Sequence, residues 1–412
     1  MKPHQKLFYL LILLLPVQLG KHFWPDWSLV NGLRVDYLSP TLYLTDILIL
    51  FVLVAWGIEI LLKVKIQPFD FAQGRNSKLF RTTLFISGFL LVNCLFSQNQ
   101  PAALYKSVKI LEFILLGIYI SKNFLVSQSL GLLVSIPVIY SSLLGIAQFL
   151  NQGSFDGIFW WLGERTFNAG TPGIAQAVWN GQLILRPYAT FPHPNVLAGF
   201  LVVSLLLIIW QKPKFWWLTT VLGLIALFLT FSRVSWVVFG LSLILSNLKF
   251  LKSPRTVLLI GLITIIGLIS LIWIPIQSES ITYRQDLNLI AVKMWQSSPL
   301  MGVGLNNFLV RLPGFYKFPG PVYFLQPVHN LYLMILAETG IIGLIGVILF
   351  LILTIRRLIL ISNYYLLITL SSVLLLGLFD HYFYTLQQGQ LLFTLILGLS
   401  WFNYSHRGKI RK

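Results

Sequence analysis

The sequence predicts an all-α polytopic membrane protein, with about twelve transmembrane helices and two long extracytoplasmic loops. Three observations predict it. Of the 412 residues, 57% are hydrophobic and only 10% charged, against roughly 45–50% and 25% in an average soluble domain, so a soluble fold could not hide the apolar surface. Apolar stretches long enough to cross a hydrocarbon core of about 30 Å recur throughout the chain. The 30 Lys and Arg are spread through the short gaps between these stretches and are not gathered in one basic domain. The formal net charge of +18 therefore reads as membrane topology, with no nucleic acid among the expected partners.

The apolar stretches fall at approximately 7–20, 42–62, 82–97, 108–125, 130–150, 195–210, 215–231, 234–248, 256–276, 329–354, 364–380 and 389–404. The first follows Lys2 and Lys6 and has the length of a signal-peptide core, but Pro16 to Gly20 offers no small-x-small cleavage site, so it is read as a helix. With a cytoplasmic N-terminus, about 19 Lys and Arg lie on short inside segments and about 11 on much longer outside ones. The inside groups are Lys2 and Lys6, Lys63 to Arg81, Lys122, Lys212 and Lys214, Lys249 to Arg255, Arg356 and Arg357, and Arg407 to Lys412. An even helix count returns the C-terminus to the cytoplasm. The chain thus reads as one integral membrane domain, 1–412, with loops 151–194 and 277–328 outside.

Loops of that length are uncommon unless functional or disordered, and their aromatic content argues against disorder. The first holds Phe155, Phe159, Trp160, Trp161, Phe167, Trp179 and Tyr188; the second holds Trp295, Phe308, Phe315, Tyr316, Tyr323 and Phe324. Such rings suit segments packed at headgroup level, and equally suit sugar platforms. Leu287, Ile290, Ala291 and Met294 recur at helical spacing, which predicts an interfacial helix inside the second loop.

Three polar clusters sit at the outer ends of helices. In the first, Arg186 precedes His193-Pro194-Asn195 at the entry to an apolar helix; the flanking prolines impose an extended approach, and Asn195 is a natural N-cap. A purely structural helix start explains His193 and Asn195 as well as function does, but leaves Arg186 unexplained. The second is Ser232-Arg233, in a very short outside turn, where a lone arginine either snorkels or meets an anion. The third is His329-Asn330 at the outer start of another helix, with Glu338 nine residues on, where a buried carboxylate calls for a partner. Histidine suits proton transfer near neutral pH, although an isolated one at a helix end also serves as an interfacial anchor.

Arg284 is a further outside cation. Arg186, Arg233, Arg284 and His329 together form a cationic set with one base, all on one predicted membrane face. Guanidinium forks match phosphate oxygens and stabilise a departing pyrophosphate without a metal. No metal is expected, because HExxH, paired carboxylates at helical spacing and clustered histidines are missing from the sequence. No cofactor is expected either: there is no Walker A loop and no GxGxxG after a strand. The single cysteine, Cys94, supports neither a disulfide framework nor a thiolate site.

These residues carry a resemblance. Arg186 to Phe200 (RPYATFPHPNVLAGF), Phe231 to Trp236 (FSRVSW), the stretch from Arg284 ending in Gly302-Val303-Gly304 and Phe308, and His329-Asn330 followed by nine residues, Gly340 and Gly343 resemble ordered motifs of the O-antigen ligase family. Its relatives include O-antigen polymerases and protein O-oligosaccharyltransferases. The resemblance spans about residues 180–350 and implies a GT-C-like polytopic glycosyltransferase. It further implies an undecaprenyl diphosphate-linked glycan as donor, and a glycan, lipid or protein as acceptor. By the same carry-over His329 would be the general base and Arg186, Arg233 and Arg284 the diphosphate grip, with Asn330, Glu338, His193 and Asn195 supporting them. The reading of another class is an anion or lipid-carrier transporter, against which stands the lack of inverted repeats and paired broken helices; a non-catalytic membrane scaffold is the third.

Overall fold

The computed structural model describes residues 1–64, 78–124, 127–246, 278–316 and 325–402. The expected span at 256–276, most of the inside basic groups at 63–81, 249–255 and 407–412, and the loop aromatics Tyr323 and Phe324 lie outside the described residues.

The chain opens with α1 (Pro3–Leu13) and a short segment of paired strands, β1 (Gly20–His22) with β4 (Thr41–Tyr43) and β2 (Leu29–Val30) with β3 (Leu33–Arg34). Three helices follow: α2 (Leu44–Val64), α3 (Lys78–Phe96) and α4 (Gln100–Asn123). Next come α5 (Gln128–Asn151), the hairpin β5 (Gln176–Trp179) and β6 (Gln182–Leu185), then α6 (Pro194–Gln211), α7 (Trp216–Leu229) and α8 (Arg233–Ser246). The second half holds α9 (Ser278–Ser297), α10 (Phe308–Phe315), α11 (Leu331–Leu360), α12 (Tyr364–Gly377), the single turn α13 (Tyr382–Thr385) and α14 (Gln387–Ser400).

Among the described residues, four stretches are long and apolar enough to cross a membrane: Leu44–Leu62, Ser129–Asn151, Pro194–Gln211 and Leu331–Leu360. Shorter apolar helices stand at Phe85–Phe96, Trp216–Leu229, Arg233–Ser246 and Tyr364–Gly377. The protein is thus a helical integral membrane protein. Helix α6 is its centre: the apolar residues run all round it, and 78% of that stretch is buried inside the protein. It packs on α5, α7, α8, α12 and α14, and Gly199 admits the Tyr382 ring so closely that a Cβ there would overlap the phenol.

Two features depart from what hydropathy suggests. Helix α4 starts at Gln100, not near 108, capped by the Asn99 side chain on the Ala102 amide. It therefore carries Lys106, which hydropathy leaves in a flanking segment, as a buried residue along with Lys109. Pairing makes this tolerable: the Lys109 ammonium lies 2.6 Å from Asp46 and 2.8 Å from Glu112, while Lys106 donates to the Tyr384 carbonyl and sits 4.2 Å over that ring.

The second is a break inside α11. Gly340 has φ 63 and ψ −168, a backbone state essentially reserved for glycine. The opened backbone pairs with the 299–304 segment: the Val303 amide donates to the Ala337 carbonyl (2.8 Å), Gly304 to Glu338 (3.1 Å), and Ile341 to Pro299 (2.9 Å). Asn93 of α3 clamps the joint, donating to the Met301 and Glu338 carbonyls and accepting from the Leu305 amide. Two stretches singled out separately in the sequence, Gly302-Val303-Gly304 and the Gly340 turn, are therefore one structural unit. In α9, Leu287, Ile290, Ala291 and Met294 form a stripe buried against Val30, Val35, Leu38 and Phe308. That packing holds the N-terminal end of α9, with Tyr283 and Arg284, beside the N-terminal strands.

Candidate functional site

A cavity of about 1000 Å³ opens where these elements converge. Its wall takes residues from the N-terminal strands, α4, the 163–174 loop, the approach to α6, the start of α9, and the segments 326–329 and 380–390. Of the residues expected from the sequence, Arg186, His193, Asn195, Arg284 and His329 line it; Arg233, Asn330 and Glu338 do not.

His193 is the cap of α6. Its extended backbone (φ −155, ψ 147) follows from the prolines on either side, and its Nδ1 accepts the Asn195 amide at 3.1 Å. The cap expected at Asn195 is thus supplied two residues earlier, because Pro194 occupies the first helical residue and has no amide to cap. Asn195 is left to connect charges: its Oδ1 accepts from an Arg186 guanidinium nitrogen (2.7 Å), and its Nδ2 donates to Asp380 Oδ2 (3.2 Å). Arg186 is fixed further by donating from Nε to the Thr230 carbonyl at 2.6 Å. Burial, together with the charges of Arg284 and Arg233, draws its pKa down to about 10, so it stays cationic at neutral pH.

His329 stands two residues before α11. Its Nδ1 lies 3.7 Å from Asp380 Oδ1, an ion-pair distance beyond hydrogen-bond length, and its Nε2 is 3.2 Å from Gln326 Oε1. The next residue, His381, packs its ring 5.4 Å from that of His329, and Tyr37 meets it edge-on at 5.5 Å. Burial opposes ionisation of Asp380, yet His329 and His381 beside it hold its pKa well below the usual carboxylate range. Burial also drives His193 and His381 down to about 3, reinforced by Arg186 in the first case and by His329 in the second. Both rings are neutral at any physiological pH.

The remaining expected residues support from outside the cavity. Asn330 caps α11, accepting from the Tyr332 and Leu333 amides at 3.0 Å, and ties it to the Leu378 carbonyl. Glu338 is buried and finds the partners its position demands: it accepts from the Tyr384 hydroxyl (2.8 Å) and the Phe308 amide (3.3 Å). Arg233 opens α8 with a buried guanidinium nitrogen that has no hydrogen-bond partner among the described residues.

Asp380 and His381 are absent from the sequence-derived set. The signal was there: a chain with only 12 Asp and Glu places one of them, next to a histidine, at the end of an apolar helix. Nor does the sequence reveal that histidines cluster, which they do only in space. His329, Asp380 and His381 bring three potential ligand atoms within 4.8 Å of one another, the arrangement among the described residues that could hold a cation. His381 Nδ1 is engaged by the Thr385 hydroxyl (2.6 Å) and Asp380 Oδ2 by Asn195, which leaves His329 Nδ1, Asp380 Oδ1 and His381 Nε2 facing one another. Arg186 and Arg284 line the same cavity, and their charges oppose a metal ion there.

The fold and this site define a polytopic membrane protein whose polar cavity sets guanidinium cations beside a histidine–carboxylate pair, the equipment for handling an oxyanion and moving a proton. Residues 218–348 match the family model described as O-antigen ligase. That segment is similar to the O-antigen ligase family, the one the ordered motifs resemble, and the family indicates glycosyltransferase activity of the O-antigen ligase and polymerase type. Such enzymes use lipid-linked glycans with a glycan or lipid acceptor. A search of curated proteins gives no match to the chain.

Proposed function

We propose that this protein transfers a glycan from an undecaprenyl diphosphate-linked donor to an acceptor hydroxyl at the extracytoplasmic face of the inner membrane, with no metal. Both termini lie in the cytoplasm, and loops 151–194 and 277–328 lie outside. The observation that carries the reading is His329 at ion-pair distance from Asp380, on the wall of a cavity it shares with Arg186 and Arg284.

In this mechanism the lipid diphosphate enters between helices and its charge is held by Arg186 and Arg284, with Arg233 behind them. His329 takes the proton of the acceptor hydroxyl while Asp380 stabilises the resulting imidazolium. The acceptor oxygen forms a bond to the anomeric carbon, and the bond from that carbon to the diphosphate oxygen breaks on the opposite face. The anomeric centre inverts, and the lipid diphosphate leaves with the electron pair. The acceptor is a second glycan, a lipid or a protein hydroxyl.

Detergent-solubilised protein, given lipid diphosphate-linked glycan and an acceptor, is expected to yield a new glycoconjugate and free lipid diphosphate. His329→Ala should bind the donor within about 1.4 kcal/mol of wild type, a factor of ten, and lose at least about 10² in turnover, with His193→Ala losing less. Equal loss of binding and turnover would make His329 a binding residue. Solubilised protein inert with every acceptor would favour a transporter.

A further inference from the structure

The catalytic reading uses one end of the cavity. The other end, reached along the same wall, is bounded by Tyr43, Tyr105, Lys109, Gln387 and Gln390, and it differs in charge and in chemistry. Its two lysines are already engaged: Lys109 stands between Asp46 and Glu112 at 2.6 and 2.8 Å, and Lys106 donates to the Tyr384 carbonyl and lies over that residue's ring. A fixed cation paired in this way presents no unmet charge to an anion, in contrast to the arginines at the first end. What this end offers is neutral hydrogen bonding. Gln387 is 4% exposed; its Nε2 donates to the Thr45 hydroxyl (2.9 Å) and to Asp46, which fixes the amide and aims its Oε1. That oxygen is buried with no partner among the described residues. A buried acceptor left unpaired costs about 1–3 kcal/mol, so the fold retains it at a penalty that a donor group would remove. Beside it Tyr105 exchanges hydrogen bonds with the Thr41 backbone, leaving ring surface of Tyr43 and Tyr105 on the wall.

Resting on the transferase reading, we infer that the Gln387 end of the cavity is a subsite for an uncharged sugar ring. A hydroxyl of that ring donates to Gln387 Oε1, and its C–H faces meet the tyrosines. The volume leaves room for a second occupant: about 1000 Å³ lies at the top of the roughly 300–1,000 Å³ range of small-ligand pockets, more than a diphosphate group takes up. The ring comes from the donor glycan or from the acceptor. The segment that carries Asp380 and His381 continues through α13 into Gln387, so one rigid turn sets the spacing between the sugar and the proton-transfer pair.

The test uses full-length protein in nanodiscs and two probes: inorganic pyrophosphate, and the reducing oligosaccharide freed by mild acid from lipid-linked donor. Gln387→Met keeps the length of the side chain and removes the acceptor; Gln387→Leu is the second variant. Both are expected to weaken oligosaccharide binding at least tenfold, with pyrophosphate affinity within twofold of wild type, which also reports that the fold is intact. Arg186→Gln should do the reverse. Oligosaccharide affinity unchanged in both variants, or pyrophosphate affinity falling in parallel, overturns the assignment. Steady-state kinetics then locate the source of the ring, as a raised KM for donor or for acceptor. Binding is read without turnover, so a wild-type protein that binds the oligosaccharide through Gln387 but forms no glycoconjugate would sink the transferase reading and leave the subsite standing.

Discussion

Replacing Asp380 by Asn tests the proton-transfer pair directly. The substitution removes the charge and keeps the shape: the new side chain still presents an oxygen to the Asn195 Nδ2, whose 3.2 Å hydrogen bond holds the segment in place. What is lost is the attraction between a carboxylate and the imidazolium that forms when His329 accepts a proton. At 3.7 Å, with the side chains 18% and 13% exposed, an effective dielectric near 20 gives about 4 kcal/mol. Water in the cavity lowers the useful part to about 2–4 kcal/mol. At about 1.4 kcal/mol per decade, turnover should fall by between about 30-fold and about 10³-fold. The loss belongs to kcat, because the charge develops only in the transition state; donor KM should stay within threefold. The assay is release of lipid diphosphate from solubilised protein under saturating acceptor. Asp380→Asn retaining a third or more of the wild-type kcat, in a protein whose His329→Ala variant is inactive, would refute the pairing.

Metal independence predicts that activity survives EDTA and that Arg233→Lys is impaired, since a point charge cannot reproduce the guanidinium fork; activity lost on chelation and restored by a divalent cation would falsify the arginine grip. Because His193 and His381 titrate near 3 in the folded protein and at about 6.5 when unfolded, the unfolded state gains protons first as pH falls. Stability should therefore decline from about pH 6.5 towards pH 3, with further loss below about pH 3.8, where unfolded Asp380 protonates and the folded one does not. Thermal unfolding in detergent checks this, and His381→Gln should flatten the upper part of the slope. Gly340→Ala forces a Cβ into the Leu300 carbonyl at a backbone angle that itself costs about 1–3 kcal/mol, so it should lower Tm and disturb the 299–304 joint; an unchanged Tm would contradict the break in α11. For orientation, with Cys94 replaced, cysteines at Ala169 and Ser298 should react with an impermeant thiol reagent in spheroplasts and one at Lys214 should not; the reverse pattern inverts the topology.

The sequence by itself determined the class of protein, because partition into a bilayer depends on apolar content over windows of about 20 residues, a local sum that needs no tertiary knowledge. It also supplied the ordered motifs, and with them Arg186, His193, Asn195, Arg284 and His329, which the fold gathers on one cavity. Helix limits were less legible where charge lies inside a span. Lys106 reads as a flank because its cost looks prohibitive until Tyr384, far away in the chain, is placed beside it, and Lys109 finds Asp46 in the same way. Only the tertiary structure brought Asp380 and His381 to His329, set Asn195 between Arg186 and Asp380, and left Gln387 Oε1 buried without a partner among the described residues. It alone joined Gly302-Val303-Gly304 to the broken turn at Gly340. The physical reason is common to all of these. The strength of a charge pair or hydrogen bond is set by separation through space and by the surrounding dielectric, and neither is a property of neighbours along the chain.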